Sequence, residues 1–130
     1  MPLVHIHVIE GRRTPAQLRQ VADTIQDVML EYFAAPERDR YQIITEHKPG
    51  QIIAEDTGLG FDRTDDIVLV HVFQQGRTSD QKQETYRALA QRLREQTGLK
   101  PADLIVSMVE NSRADWSFGD GRAQFIEGLL

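Results

Sequence analysis

The stretch Pro2-Leu3-Val4-His5-Ile6-His7-Val8-Ile9-Glu10-Gly11-Arg12-Arg13-Thr14 has a counterpart farther along the chain, Asp66-Ile67-Val68-Leu69-Val70-His71-Val72-Phe73-Gln74-Gln75-Gly76-Arg77-Thr78. A shift of 64 positions lays Val4 on Val68, His7 on His71, Val8 on Val72, Arg13 on Arg77 and Thr14 on Thr78. The same shift, without a gap, carries Asp39 onto Asp103 and Glu46 onto Glu110. A single offset held over that distance is the mark of an internal repeat.

Each half reads as strand, helix, strand. Leu3 to Ile9 is rich in β-branched residues and partly alternating, which suits a strand. Thr14-Pro15 then reads as an N-cap followed by proline at the first helical position. Leu18, Val21, Ile25, Val28, Met29 and Tyr32 follow at helical spacing. Ala34 to Arg38 is a return loop, and Tyr41 to Thr45 is the next strand. In the second half, Ile67 to Phe73 is a strand, Gln74 to Arg77 a turn and Thr78 to Thr97 a helix. Gly98 closes that helix as a C′ residue, and Asp103 to Glu110 is the last strand. The connection from Pro49 to Asp66 is long, with a short strand expected at Gln51 to Ala54.

These elements predict one α+β domain of two βαβ repeats, about 2–48 and 66–112, with a C-terminal segment after them. Parallel strands joined by right-handed crossovers give a four-stranded sheet with both helices on one face. The other face is then bare, although Ile67-Val68-Leu69-Val70 has the composition of a strand buried on both sides. Copies packing their bare faces together resolve the conflict, so a homo-oligomer is expected.

Composition narrows the chemistry. The chain has 130 residues, a formal net charge of −5 and no cysteine. That excludes disulfides, thiolate nucleophiles and cysteine-ligated zinc. No Lys/Arg block argues for nucleic acid, and no apolar run is long enough to span a membrane. The first residues lack the pattern of a signal peptide, so a cytoplasmic protein is expected.

Pro2 is the first chemical candidate. Methionine before proline is normally removed, which would expose a secondary amine at the start of a buried strand. An α-amino group titrates near neutrality and serves as a base or an iminium former. Met-Pro is also a common and meaningless start, and the duplicated sheet is what raises its weight. Arg77, after the third strand, suits a substrate carboxylate, which a guanidinium grips with two hydrogen bonds. Trp116 and Phe118, with Phe125 more weakly, could wall a pocket or pack on a neighbouring subunit. His5, His7, His47 and His71 lack a supporting carboxylate motif, and no metal site is assigned to them.

The residues also carry a family resemblance. Met1-Pro2-Leu3 opening a βαβ unit resembles the tautomerase superfamily, and the duplicated length resembles its malonate semialdehyde decarboxylase-like branch. The matching blocks are Asp39-Arg40-Tyr41-Gln42, Glu55-Asp56-Thr57-Gly58-Leu59-Gly60, Val109-Glu110-Asn111-Ser112 and Ala114-Asp115-Trp116-Ser117-Phe118-Gly119. The resemblance implies a trimer, an active site around each Pro2, and no metal or organic cofactor. It implies that Asp39 positions or activates water and that Arg77 binds the substrate carboxylate. Two residues before Arg77 the family decarboxylase has a second arginine, and this chain has Gln75, a hydrogen-bond donor without charge.

The expected activity is decarboxylation of a small oxo acid, malonate semialdehyde by resemblance, through the amine of Pro2. The alternative is keto–enol tautomerisation of an enol 2-oxo acid such as phenylenolpyruvate, with neutral Pro2 as the base. A non-catalytic trimeric ligand-binding protein is the reading from another class.

Overall fold

The computed structural model describes residues 2–130, so the expected removal of Met1 falls outside it. The elements run β1 (Leu3–Ile9), α1 (Pro15–Tyr32), β2 (Tyr41–His47), β3 (Val68–Gln74), α2 (Ser79–Thr97) and β4 (Leu104–Glu110). Both helices start on the same device. Thr14 accepts from the Gln17 amide at 3.1 Å while Gln17 accepts from the Thr14 amide at 2.9 Å. Thr78 and Gln81 repeat this at 3.1 and 3.0 Å. Each reciprocal box satisfies two orphan amides, and a cap of this kind stabilises by about 1 kcal/mol.

The helix ends differ. Gly98 closes α2 at φ +73, and its amide reaches the Arg94 carbonyl. The position matched to it after α1 is Ala34, which holds a left-handed φ of +53 despite its side chain. That conformation costs an L-residue roughly 1–2 kcal/mol.

The sheet order is β2-β1-β3-β4. β1 pairs parallel with β2, β3 pairs parallel with β4, and the central β1–β3 pair is antiparallel. Ile6 pairs with Val70, the residue on which the 64-position shift also places it. The two βαβ units are therefore related by a pseudo-twofold axis through that pair.

Alternation decides the core. Val4, Ile6, Val8, Val68, Val70 and Val72 are buried against Val21, Ile25, Val28, Met29, Leu89 and Leu93 of the helices. Each fully buried aliphatic side chain of this size stabilises by roughly 1.5–3 kcal/mol. The intervening residues, Leu3, His5, His7, Leu69, His71 and Phe73, face away from the helices and are only half-buried. On β2, Tyr41 and Ile43 lie on that same open face and are exposed.

Several expected boundaries move. β2 continues to His47, and β3 runs one residue later than expected, so Gln74 belongs to the strand and not to the turn. Pro101–Asp103 forms a 3-10 turn, which delays β4 to Leu104. The short strand expected at Gln51 to Ala54 does not form. The long connection is instead organised by polar contacts. The Asp56 carboxylate accepts from the amides of Gly58 and Gly60, each at 3.0 Å, and Arg63 donates to the Ala102 carbonyl at 2.7 Å.

Candidate active site

One end of the sheet gathers the candidate residues. Leu3 pairs with both Tyr41 and Phe73. The segments entering β1 and β2 and the segment leaving β3 therefore meet there. Pro2 precedes β1 and is buried. Asp39 lies two residues before β2 and is 4% exposed. Gln75 and Arg77 follow β3, and the Asn111 amide after β4 ties in through the Gln74 carbonyl at 2.8 Å.

The Arg77 guanidinium is held from two sides. Its Nε donates to the Phe33 carbonyl at 2.8 Å, and its Nη1 donates to the Gln75 carbonyl at 2.6 Å. Its carbon sits 4.8 Å from the centre of the Phe33 ring. This fixes the fork, and a guanidinium held in place loses less entropy on gripping a carboxylate than a free one does. Gln75 thus contributes its backbone carbonyl to positioning Arg77, a role that side-chain chemistry does not reveal.

Burial pushes the Asp39 carboxyl above its ordinary range, against the opposing pull of the amino terminus and Arg77. Burial likewise pushes Arg77 down, opposed by Asp39. The two groups therefore sense each other in a poorly solvated place, where Coulomb interactions are strong.

The C-terminal segment forms an aromatic wall. A cleft of about 460 Å³ is lined by Pro36, Arg38, Asp39, Tyr41, Phe118, Phe125 and Leu130. A neighbouring cleft of about 320 Å³ has Leu3, Phe73, Asn111 and Trp116 in its lining and shares Tyr41 and Phe118 with the first. Trp116 stacks on Phe118 with ring centres 5.5 Å apart, and Tyr41 and Phe125 contact Phe118 at 5.5 and 5.6 Å. The Trp116 indole N–H donates to Asn111 Oδ1 at 2.9 Å, which locks the stack onto the end of β4. Asp39, Phe118 and Phe125 thus share one cleft, while Trp116 belongs to the adjoining one.

The sequence reading missed Gln74. It is fully buried, and neither its side-chain oxygen nor its nitrogen has a hydrogen-bond partner among the described residues. One register step beyond the Leu3–Phe73 pair, it lies opposite Pro2. The missed signal was phase. Val68, Val70 and Val72 mark the helix-facing positions, and position 74 falls in that series with a polar side chain. A buried amide without partners is costly, so it calls for an explanation.

The histidines gather on the open face of the sheet. His7 Nδ1 and His47 Nε2 are 2.8 Å apart, and His71 lies edge-on to His7 with ring centres 5.5 Å apart. Burial holds the His7 pKa below its ordinary value, and His47, His71 and His5 add to the effect. Among the described residues no group of three or more His, Cys, Asp or Glu is arranged to hold a metal ion. No helix there is long and apolar enough to cross a membrane.

Comparison with known proteins agrees with the fold. Two family models, each described as tautomerase enzyme, match residues 39–119 and 2–62. The probable tautomerase YrdN of Bacillus subtilis (strain 168) is 48% identical over 130 residues, covering all of both chains. The probable tautomerase YusQ of the same organism is 35% identical over 98% of this chain and all of its own. A crystal structure of malonate semialdehyde decarboxylase matches with a TM-score of 0.95, at 42% identity over 98% of each chain.

Proposed function

The chain belongs to the tautomerase family, and on that premise we propose that it decarboxylates a small oxo acid of the malonate semialdehyde type through the amine of Pro2. The carrying observation is the placement of buried Asp39, electrostatically coupled to a prepositioned Arg77, at the sheet end where Pro2 begins β1. The likeness to malonate semialdehyde decarboxylase supports the same reading.

Arg77 takes the substrate carboxylate. Removal of Met1 leaves Pro2 as a secondary amine, and Asp39 favours its protonated form. The ammonium polarises the aldehyde oxygen by hydrogen bonding. The bond to the carboxylate carbon then breaks, carbon dioxide leaves, and the electron pair passes into the carbonyl as an enol. Protonation at carbon by water, with the enol O–H proton returning to the Pro2 amine, gives acetaldehyde. Gln74 supplies an amide on the strand opposite Pro2, able to orient the amine or the carbonyl oxygen. The aromatic wall excludes water, which strengthens these contacts. Two further copies cover the open sheet face, so the active form is a homotrimer.

Tautomerisation of an enol 2-oxo acid is the second reading, and two observations favour it. Gln75 leaves Arg77 without a second charge, and the cleft beside Asp39 is roomy and lined by Tyr41, Phe118 and Phe125. An aromatic enol such as phenylenolpyruvate fits that lining. The experiment is turnover of malonate semialdehyde followed by NMR, with wild type and Pro2→Ala side by side. Acetaldehyde formed by wild type and lost in the variant establishes the decarboxylase. No turnover, with activity on phenylenolpyruvate, transfers the assignment to tautomerisation.

A further inference from the structure

The pseudo-twofold axis that relates the two βαβ units also maps the candidate active site onto the opposite end of the sheet. Arg13 stands for Arg77, Asp103 for Asp39, and Asp66 for Pro2. A second cavity of about 240 Å³ lies there, with Arg13, Asp66, Asp103, Gly98 and Lys100 in its lining. We propose that this cavity is a non-catalytic binding site for a small carboxylate, held by Arg13 and Lys100.

Three observations carry it. First, Arg13 Nη1 is buried and has no hydrogen-bond partner among the described residues. Its Nη2 is already anchored, donating to the Asp66 carbonyl at 2.6 Å. The guanidinium is therefore anchored by one terminal nitrogen, while the other is buried without a partner among the described residues. Second, both carboxylates of the cavity already hold donors. Asp66 accepts from Arg12 Nε at 2.8 Å, and Asp103 accepts from the amide and hydroxyl of Thr64, each at 2.6 Å. The donors in the lining that remain include those of Arg13, of Arg12 Nη and of exposed Lys100 on the rim. Third, Arg12, Arg13 and Lys100 outnumber Asp66 and Asp103, so the formal balance favours an anion. A ligand rich in acceptors and poor in donors fits this set, and a carboxylate matches the guanidinium fork.

The site does no chemistry, because the position matched to the Pro2 amine holds Asp66. The inference is independent of what Pro2 does. It follows from the repeat, which duplicated a carboxylate-gripping arginine and left only one copy beside an amine.

The test is a titration of the full chain with malonate, followed by the backbone amide resonances, against chloride at matched ionic strength. Malonate should shift Arg13, Gly98 and Lys100 in a saturable way that chloride does not reproduce. Arg13→Met should abolish these shifts and leave turnover unchanged, whereas Arg77→Met should leave them intact. Should Arg13→Met fail to fold, Lys100→Met, at an exposed position, should weaken malonate binding at these amides by several-fold. Shifts equal in chloride, shifts that survive Arg13→Met, undiminished malonate affinity in Lys100→Met, or no shifts at these amides would each overturn the proposal.

Discussion

The two ends of the sheet began as the same arrangement and now differ in what holds the carboxylate. At one end Asp103 is locked by two short hydrogen bonds from Thr64 and serves to fasten the long connection to β4. At the other, Asp39 is similarly buried, burial raises its pKa, and the groups that oppose the rise are the amino terminus and Arg77. Repetition therefore supplies two buried aspartates, and local partners tie one to Thr64 and leave the other beside Arg77 and the amino terminus. Sequence position alone cannot separate them, because the 64-position shift treats them as equals.

The sharpest way to break the comparison is to remove the charge at each end. Asp39→Asn should lower turnover by about 10²-fold or more, the scale of a lost proton-handling group. Its stability should move the other way. A carboxyl with a raised folded pKa contributes most below its ordinary value of 3.8, and that contribution is lost as pH rises through the raised value. Denaturant melts should therefore show Asp39→Asn gaining on wild type as pH climbs from below 3.8 toward neutrality. Loss of stability at neutral pH would show that Asp39 is held as Asp103 is. Asp103→Asn should leave turnover intact while costing roughly 1.5–3 kcal/mol, the range for hydrogen bonds to a charged group. Unfolding by urea measures this directly.

Gln74→Leu sharpens the picture at the Asp39 end. If the amide serves the site, turnover should fall about 10-fold, equivalent to roughly 1.4 kcal/mol of transition-state stabilisation. Because the amide has no partner among the described residues, the same change should raise stability by about 1 kcal/mol. A stabilised variant with unaltered kcat and KM would mean that Gln74 is frustrated without purpose. The smallest effect is expected where the helix ends differ. Ala34→Gly, which copies Gly98 into the matched position, should stabilise by up to about 1 kcal/mol by relieving the left-handed φ. A thermal melt shifted down instead would show that Ala34 packs productively there.

Much of the fold was legible because its rules are local. Thr14 announces its helix through capping chemistry, and the valines of β1 and β3 announce a buried face by alternation. The expected strand at Gln51 to Ala54 failed for the same reason in reverse. Nothing nonlocal offers those residues a ladder, and Asp56 and Arg63 organise the connection through contacts to glycine amides and the Ala102 carbonyl. At the site, Arg77 and Asp39 were readable by type and position. The carbonyls that hold Arg77 were not, because a carbonyl has no letter of its own. Gln74 was readable in principle, once β3 is known to run one residue farther than expected.

The sequence by itself determined the repeat, the two βαβ units, the helix starts, the buried faces of the strands and the chemical types available to the site. Those follow from period, capping and residue chemistry, which act over a few positions. Only the tertiary structure decided which aspartate is locked by Thr64, which arginine is clamped by Phe33 and Gln75, and where the aromatic wall closes. Burial and partner geometry are set by residues distant in the chain, and they alone give identical letters at matched positions different partners.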